Sequence, residues 1–246
     1  LSEAAALPAD AHAVFTTECE GVEANRFEIP IEAVAVPVVP PLKHLHISLS
    51  WTHEGQMINW PGFWEAWPAL GYNVVSTFPR YWRNGTPSAE VVDFLAEARE
   101  RGYGVIYNES PFHVMLNRRG KQQPEIFSQF ADGTTGALCP SYQGEFYREE
   151  IQRVADLFAA SNADYVFYDI ECWYNGAREA GRCQRCLEAQ KASGLEMGDY
   201  LATLGPRMWR DMRNAMAEKA AEMNRPMPVI GSYNNHAASP PHHMVM

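Results

Sequence analysis

The stretch YVFYDIECW, residues 165–173, indicates both the fold and the site. Four residues that favour β-structure lead into Asp169, and after one apolar residue the chain places Glu171 beside Cys172 and Trp173. A short apolar run with two carboxylates at its end is typical of a buried strand whose carboxyl end opens on a functional site. Because strand side chains alternate, we expect Asp169 and Glu171 to point to the same side, with Cα atoms about 6.5–7 Å apart.

Four further apolar runs alternate with helix-like segments along the chain. The runs are LHISLSW at 45–51, NVVSTF at 73–78, GVIYNES at 104–110 and PVIGSYN at 228–234. Three segments between them carry capping residues and apolar residues on one helical face, with Thr86 as the expected first cap and Pro206 as the expected start of the third helix. These segments are 86–102, 144–162 and 206–224. Strict alternation predicts an α/β fold with parallel strands, either a doubly wound sheet or a (β/α)8 barrel.

The ends of all five runs carry polar and aromatic residues, and this favours the barrel. All carboxyl ends of barrel strands meet at one mouth, whereas a doubly wound sheet uses mainly its switch point. The turn after the first run also lacks the GxGxxG motif of nucleotide-binding sheets. We therefore predict a (β/α)8 TIM-barrel type domain over residues 41–246, incomplete, with about five βα units. Residues 1–40 end in a proline cluster and are predicted to be edge strands or a linker from a preceding β-rich region.

Composition excludes some classes of partner. The net charge is −10, from 30 acidic and 20 basic residues, and no block of Lys or Arg is present to track a phosphate backbone, so nucleic acid is not expected. No apolar run approaches the roughly 20 residues of a membrane span. Localisation is not readable from these features.

Two carboxylates at one strand end suit acid–base chemistry. Two ionised carboxylates that close repel each other, which favours a protonated form of one of them near neutral pH, the form that a general acid needs. Glu109, at the end of the run 104–110, is a further candidate carboxylate. The alternative is a solvated strand end or an ion pair of the 169/171 carboxylates with Arg178 or Arg182.

The same stretch resembles a known signature. Asp164, Asp169 and Glu171 occupy the first, third and fourth acidic positions of the DxxDxDxE motif of chitinase-like glycoside hydrolases (glycoside hydrolase family 18), and Phe167 stands in place of the middle Asp. More broadly, residues 139–194 resemble the αβα part of several barrel glycosidase groups. The resemblance implies a cofactor-independent glycosidase, secreted or periplasmic, with Glu171 as general acid/base and Asp169 orienting a substrate acetamido group. An ordinary retaining glycosidase would instead use a second carboxylate about 5–5.5 Å away, for which Glu109 is available.

Aromatic side chains near the strand ends fit a carbohydrate substrate. Sugar C–H faces stack on indole and phenol rings, whose polar tips can reach hydroxyl groups. The spacing of Trp60, Trp64 and Trp67 predicts instead one packed face of a short helix. The predicted substrate-binding residues are Trp51, Tyr81, Trp82, Trp173, Tyr233 and Asn234.

Two patterns have metal-ligand spacing. Cys183 and Cys186 form a Cys-x2-Cys pair that Cys172 or Cys139 could complete to a tetrahedral structural zinc, the alternative being a free or disulfide-bonded pair. His44-x-His46 resembles the HxH of amidohydrolase barrels, but the strand-like run continues past it, which predicts a place near the bottom of the barrel.

These patterns together predict a glycoside hydrolase of an oligo- or polysaccharide, with Glu171 as proton donor and Asp169 as its partner. One alternative is a carbohydrate-binding barrel without turnover, which Phe167 favours. The other is a metal-dependent hydrolase of the amidohydrolase type, which would lose bound metal on mutation of His44 and His46.

Overall fold

The computed structural model describes residues 10–31, 45–49, 51–113, 115, 123–169 and 176–232. Eight strands are assigned within these residues: β1 His12–Cys19, β2 Val22–Pro30, β3 Val74–Thr77, β4 Gly104–Glu109, β5 Phe127–Gln129, β6 Thr135–Leu138, β7 Tyr165–Tyr168 and β8 Val229–Ser232. The principal helices of the same residues are α1 Glu54–Ile58, α2 Phe63–Ala69, α3 Ala89–Glu100, α4 Glu145–Ser161, α5 Gln184–Ser193 and α6 Met197–Glu222.

Four strands form a parallel sheet in the order β3-β4-β7-β8, which is also their order along the chain. They confirm four of the five predicted strands and the α/β class. The first predicted run has no assigned strand within residues 45–49, but the carbonyl of Ile47 accepts hydrogen bonds from the backbone N–H groups of Asn73 and Val74 at 3.0 and 3.1 Å. This segment therefore runs beside the start of β3. The described strands form no closed barrel.

The two faces of this sheet have different surroundings. Tyr107 and Tyr168 are fully buried on one face, where the Tyr168 hydroxyl donates a hydrogen bond to Sδ of Met216 in α6 at 3.4 Å. Ile106 and Phe167 directly precede these tyrosines in their strands, so their side chains lie on the other face, where they are partly exposed. Connections between parallel strands are right-handed, and here each connection leads to the next strand in the same direction across the sheet. Such connections place all of their helices on one face. The face with Tyr107 and Tyr168 is therefore the helix side.

Helices α3 and α4 confirm two predicted helices. Helix α3 begins later than expected, because Ser88 rather than Thr86 is its cap and accepts a hydrogen bond from the N–H of Val91 at 3.4 Å. Helix α4 covers the predicted segment and ends at Asn162, which has the left-handed backbone conformation (φ 51°) that closes many helices.

Helix α6 shows that the predicted start at Pro206 was wrong. The helix begins at Met197 and contains Pro206. The turns before the proline bury Tyr200 and Leu204 in the core, and this apolar anchoring offsets the hydrogen bond that the proline cannot donate. No helix within the described residues combines the length and the apolar character needed to cross a membrane.

Two antiparallel hairpins complete the described structure. Strands β1 and β2 pair across a two-residue turn, Glu20 and Gly21, whose positive φ angles of 51° and 78° suit a tight hairpin. The assignment of residues 1–40 to a separate region stays a prediction. Strands β5 and β6 form a short hairpin between β4 and α4 that the sequence did not predict. At three and four residues, these strands are too short to show a clear alternation.

Candidate functional site

The carboxyl ends of β4 and β7 hold Asp169 in a defined position. Its backbone N–H donates to the carbonyl of Glu109 at 2.8 Å, which extends the ladder by one residue. Its carboxylate oxygen Oδ2 accepts a hydrogen bond from the Ser110 hydroxyl at 3.3 Å and lies 3.8 Å from Nδ1 of His113. Asp169 is 8% exposed. It is thus a nearly buried carboxylate, oriented by a hydroxyl and adjacent to an imidazole.

Asn108 lies on the same face of the sheet as Asp169. It pairs with Phe167 in the β4–β7 ladder, so both residues face away from the helices. Asn108 is fully buried, and neither atom of its side-chain amide has a hydrogen-bond partner among the described residues. Leaving such a group unsatisfied costs about 1–3 kcal/mol, so it calls for a partner such as a water or a ligand. Asn108 is therefore a candidate site residue that the sequence did not select.

Glu109 forms the centre of a buried charge cluster on the helix side. Its carboxylate accepts hydrogen bonds from Arg153 at 3.0 Å, from the Tyr107 hydroxyl at 2.9 Å and from the N–H of Ser110 at 2.8 Å. Arg153 also binds Glu150 at 2.7 Å. Burial acts to lower the pKa of Arg153, but the two carboxylates outweigh it and raise that pKa. Burial, then the charge of Glu109, raise the pKa of Tyr107 well above its ordinary value. This cluster, with Glu109 itself fully buried, gives Glu109 a structural role, and its catalytic role stays a prediction.

Arg80 connects this cluster to two exposed aromatic rings. Its Nη1 lies 3.9 Å from Oε1 of Glu109, and its guanidinium carbon lies 4.8 Å from the ring centre of Tyr81 and 5.4 Å from that of Trp51. Tyr81 is 62% exposed and Trp51 is 41% exposed. Trp51 also has a φ of 64°, a strained conformation for a bulky residue and one that is commoner at functional sites. Both rings present open surface to a binding partner.

Trp82, the third predicted aromatic residue of this region, is used by the protein itself. It is 9% exposed, and its indole N–H donates a hydrogen bond to Oε1 of Glu54 at 2.6 Å. Glu54 is fully buried and also accepts from the N–H of Phe78 at 3.0 Å. The indole N–H that would bind a sugar hydroxyl is thus already hydrogen-bonded to Glu54.

A cleft of about 700 Å³ lies between residues 79–85 and helix α4. Arg80, Trp82 and Arg153 are among its lining residues, which places it on the helix side of the Glu109 cluster. Asp169 is not part of its lining. The cleft is therefore distinct from the predicted mouth at the strand ends.

Two other residues singled out in the sequence lie at the opposite end of the sheet. His46 packs its ring against that of Tyr165, the first residue of β7, at 5.1 Å between ring centres. Asp164, the first acidic position of the signature, accepts from the N–H of Val105 at 2.9 Å and pairs with Arg225 at 3.0 Å. This is the amino end of the strands, whereas Asp169 follows the carboxyl end of β7. Neither residue is therefore part of the arrangement around Asp169.

The predicted residues Glu171, Cys172 and Trp173 lie outside the described residues, as do His44 and the pair formed by Tyr233 and Asn234. Their roles stay predictions.

Three of the predicted metal-binding cysteines come together. Sγ of Cys139 lies 3.7 Å from Sγ of Cys183 and 3.6 Å from Sγ of Cys186, and all three residues are buried. A hydrogen bond from Cys186 lowers the pKa of Cys139 to about 6, and Arg185 contributes to this shift. Donation to Cys139 and burial raise the pKa of Cys186. The described residues thus contain a compact cluster of three thiols, with no disulfide among them.

Sequence reasoning missed the residues that form the buried charge cluster around Glu109. Arg153 and Glu150 lie three positions apart in helix α4, where the sequence analysis considered only the apolar face. The available signal was that this oppositely charged pair stands next to the apolar residues Ile151 and Val154. Asn108 offered a weaker signal, as a polar residue inside a strand run.

Comparison with known proteins adds no relative to this picture. No protein-family model matches the chain, no curated protein matches it, and no solved structure matches it. The geometry of the strand ends, with Asp169 and Asn108 on the face away from the helices, is therefore the basis for a functional conclusion.

Proposed function

We propose that this chain is a glycoside hydrolase on a (β/α)8-type barrel, acting on an oligo- or polysaccharide at the carboxyl ends of its parallel strands. The observation that carries the proposal is Asp169, a carboxylate at the end of the inner strand β7 on the face away from the helices. In this mechanism Asp169 is the partner carboxylate, and Glu171, two positions further along the chain, is the proton donor. No metal or organic cofactor takes part in this chemistry.

The barrel architecture is supported by the order of the strands. A doubly wound sheet reverses direction at a switch point, with helices on both faces. Here β3, β4, β7 and β8 follow one another in chain order, as successive strands of a barrel wall do. The partly exposed Ile106 and Phe167 occupy the face that would line a barrel interior.

A sugar substrate is supported by the side chains around the strand ends. Trp51 and Tyr81 offer exposed rings for stacking, and Arg80 packs against both rings and donates a hydrogen bond to the Tyr81 hydroxyl at 3.0 Å. The buried amide of Asn108 could both donate to and accept from a hydroxyl. Apolar rings with a few convergent polar groups are typical of small-molecule and carbohydrate sites.

A second candidate is a carbohydrate-binding barrel without turnover. Phe167 favours it, because it puts an apolar ring on the face of Asp169, where chitinase-like enzymes have an acid that relays protons. Loss of that relay would leave recognition intact and slow the chemistry.

The test is reducing-sugar release from a panel of polysaccharides that includes chitin. Glu171→Gln and Asp169→Asn are compared with the wild type and with Asp132→Asn, which changes an exposed carboxylate in the turn between β5 and β6. We expect release by the wild type and the control, and a loss of about 10²- to 10⁴-fold in the two site variants. Equal release by all four proteins would refute the assignment. Saturable glycan binding without release would favour the binding barrel.

A further inference from the structure

Three buried cysteines converge from two elements that are far apart in sequence. Cys139 directly follows strand β6, Cys183 is the N-cap of helix α5, and Cys186 lies in the first turn of that helix. The spacing of three residues places Cys183 and Cys186 on one side of the helix start, facing Cys139. The three sulfur atoms lie within 4.8 Å of one another.

The distances between these sulfurs fit metal ligation. Zinc binds thiolate sulfur at about 2.3 Å in a tetrahedral arrangement, which separates the sulfurs by about 3.8 Å. The distances from Cys139 to Cys183 and Cys186 are 3.7 and 3.6 Å. A disulfide would need about 2.05 Å and would leave one of the three thiols unpaired. A single central ion can be coordinated by all three sulfurs at these distances.

Neighbouring side chains form hydrogen bonds to the sulfurs, as residues around the ligands of a metal site do. The Ser141 hydroxyl donates to Sγ of Cys186 at 3.1 Å, and the Tyr200 hydroxyl in turn donates to the Ser141 hydroxyl at 2.8 Å. Such partners orient the ligand and offset part of the charge that thiolates carry in a buried site. Because Tyr200 belongs to helix α6, the chain of hydrogen bonds joins a third element to the cluster.

Helix α5 buries little of its own surface. It has ten residues, all of them described, and Cys186 is its one buried residue. Isolated helices of this length are marginal in water, and packing of an apolar face normally supplies the missing stability. In α5 the buried residue is Cys186, while Arg185 packs on the ring of Tyr142 at 5.1 Å and Ala189 is partly buried against the core. A metal at the cysteine cluster would add a strong anchor to these contacts, as in small metal-stabilised elements.

We propose that Cys139, Cys183 and Cys186 supply three sulfur ligands of a structural zinc ion that fastens helix α5 to the β5–β6 hairpin. Binding releases the protons of the thiols, and the metal stays divalent throughout. The site is structural, because a catalytic zinc keeps a ligand position open to substrate, whereas these three residues are at most 1% exposed. The proposal is independent of the glycosidase mechanism, which uses no metal.

Metal analysis of the purified chain tests this site. The protein is expressed with zinc in the medium, purified without chelators, and its zinc content is measured by mass spectrometry. We expect one zinc per wild-type chain, loss of it in Cys139→Ser and Cys186→Ser, and full retention in Cys19→Ser, which removes an exposed cysteine of β1. Cobalt in place of zinc should give the d–d absorption of a tetrahedral thiolate centre.

A second measurement, on the wild type alone, tests the proposal even if the cysteine variants fail to fold. Chelation of the wild type should lower its thermal midpoint, and added zinc should restore it. A wild-type chain without bound zinc, zinc retained in both site variants, or a mass two units low that identifies a disulfide among these cysteines would each overturn the proposal. Because no step of the assay involves a glycan, failure here leaves the proposed hydrolase activity untouched.

Discussion

Replacing Arg153 by methionine should destabilise the fold strongly, because it removes the cation from a buried cluster. Arg153→Met keeps the apolar stem of the side chain and deletes the guanidinium that lies 3.0 Å from Glu109 and 2.7 Å from Glu150. Glu109 keeps its hydrogen bonds from Tyr107 and from the N–H of Ser110. It loses the nearest positive charge that offsets its complete burial.

The size of the effect follows from the remaining partners. Removing one member of a buried ion pair costs about 3–5 kcal/mol. Arg80, 3.9 Å from Glu109, still supplies a second cation, which favours the lower end of that range. For a chain of this length each kcal/mol corresponds to about 2–4 °C in thermal midpoint, so a loss of about 3 kcal/mol should appear as about 6–12 °C.

Urea unfolding and thermal melting followed by circular dichroism measure the change. The matched control is Arg101→Met, which deletes an exposed i,i+4 pair with Glu97 and should cost about 1 kcal/mol or less. Adding Glu109→Gln to Arg153→Met should recover part of the loss, since the neutral amide no longer needs a cation. An Arg153→Met variant as stable as the control, or a double variant no better than the single one, would refute the reasoning.

Two further predictions concern pH and backbone packing. Burial, then the charge of Glu109, raise the pKa of Tyr107 and Tyr168 well above 10.0, while the unfolded chain ionises near that value. Stability should therefore fall as pH rises above about 10, and equal urea midpoints at about pH 9 and about pH 11 would contradict this. At Gly176 a Cβ would collide with the carbonyl oxygen of Leu138, so Gly176→Ala should cost about 1–3 kcal/mol. Gly198→Ala, with open space in α6, should be neutral or stabilising by up to about 1 kcal/mol, and equal thermal midpoints of the two variants would contradict the clash.

The parallel sheet was predictable because its signal is local. Each of β3, β4, β7 and β8 is a short apolar run between helical segments, and alternation alone implies parallel pairing. The start of α6 was not predictable in the same way, since Pro206 is a valid first-turn residue by local rules. Only the burial of Tyr200 and Leu204, a tertiary effect, shows why the helix begins nine residues earlier.

The cysteine cluster was predictable only in part. The Cys183–Cys186 spacing is a local pattern and was visible in the sequence. The choice of Cys139 as their partner depends on how the β5–β6 hairpin folds back onto α5, and that hairpin carries no strong periodic signal. The local pattern thus indicated the cysteine pair, and packing brings Cys139 to it.

The register of the β4–β7 ladder determines which strand-end carboxylate lies on the face away from the helices. In the sequence, Glu109 and Asp169 are equivalent, since each is an acid at the end of an apolar run. The ladder pairs Glu109 with Tyr168 and Asn108 with Phe167, and side chains paired in a parallel ladder share a face. Glu109 therefore shares the helix side with Tyr168, whereas Asp169 and Asn108 share the face away from the helices. A shift of β7 by one residue would turn Asp169 to the helix side as well, so the pairing register, rather than the presence of a carboxylate, makes Asp169 the acid to mutate first.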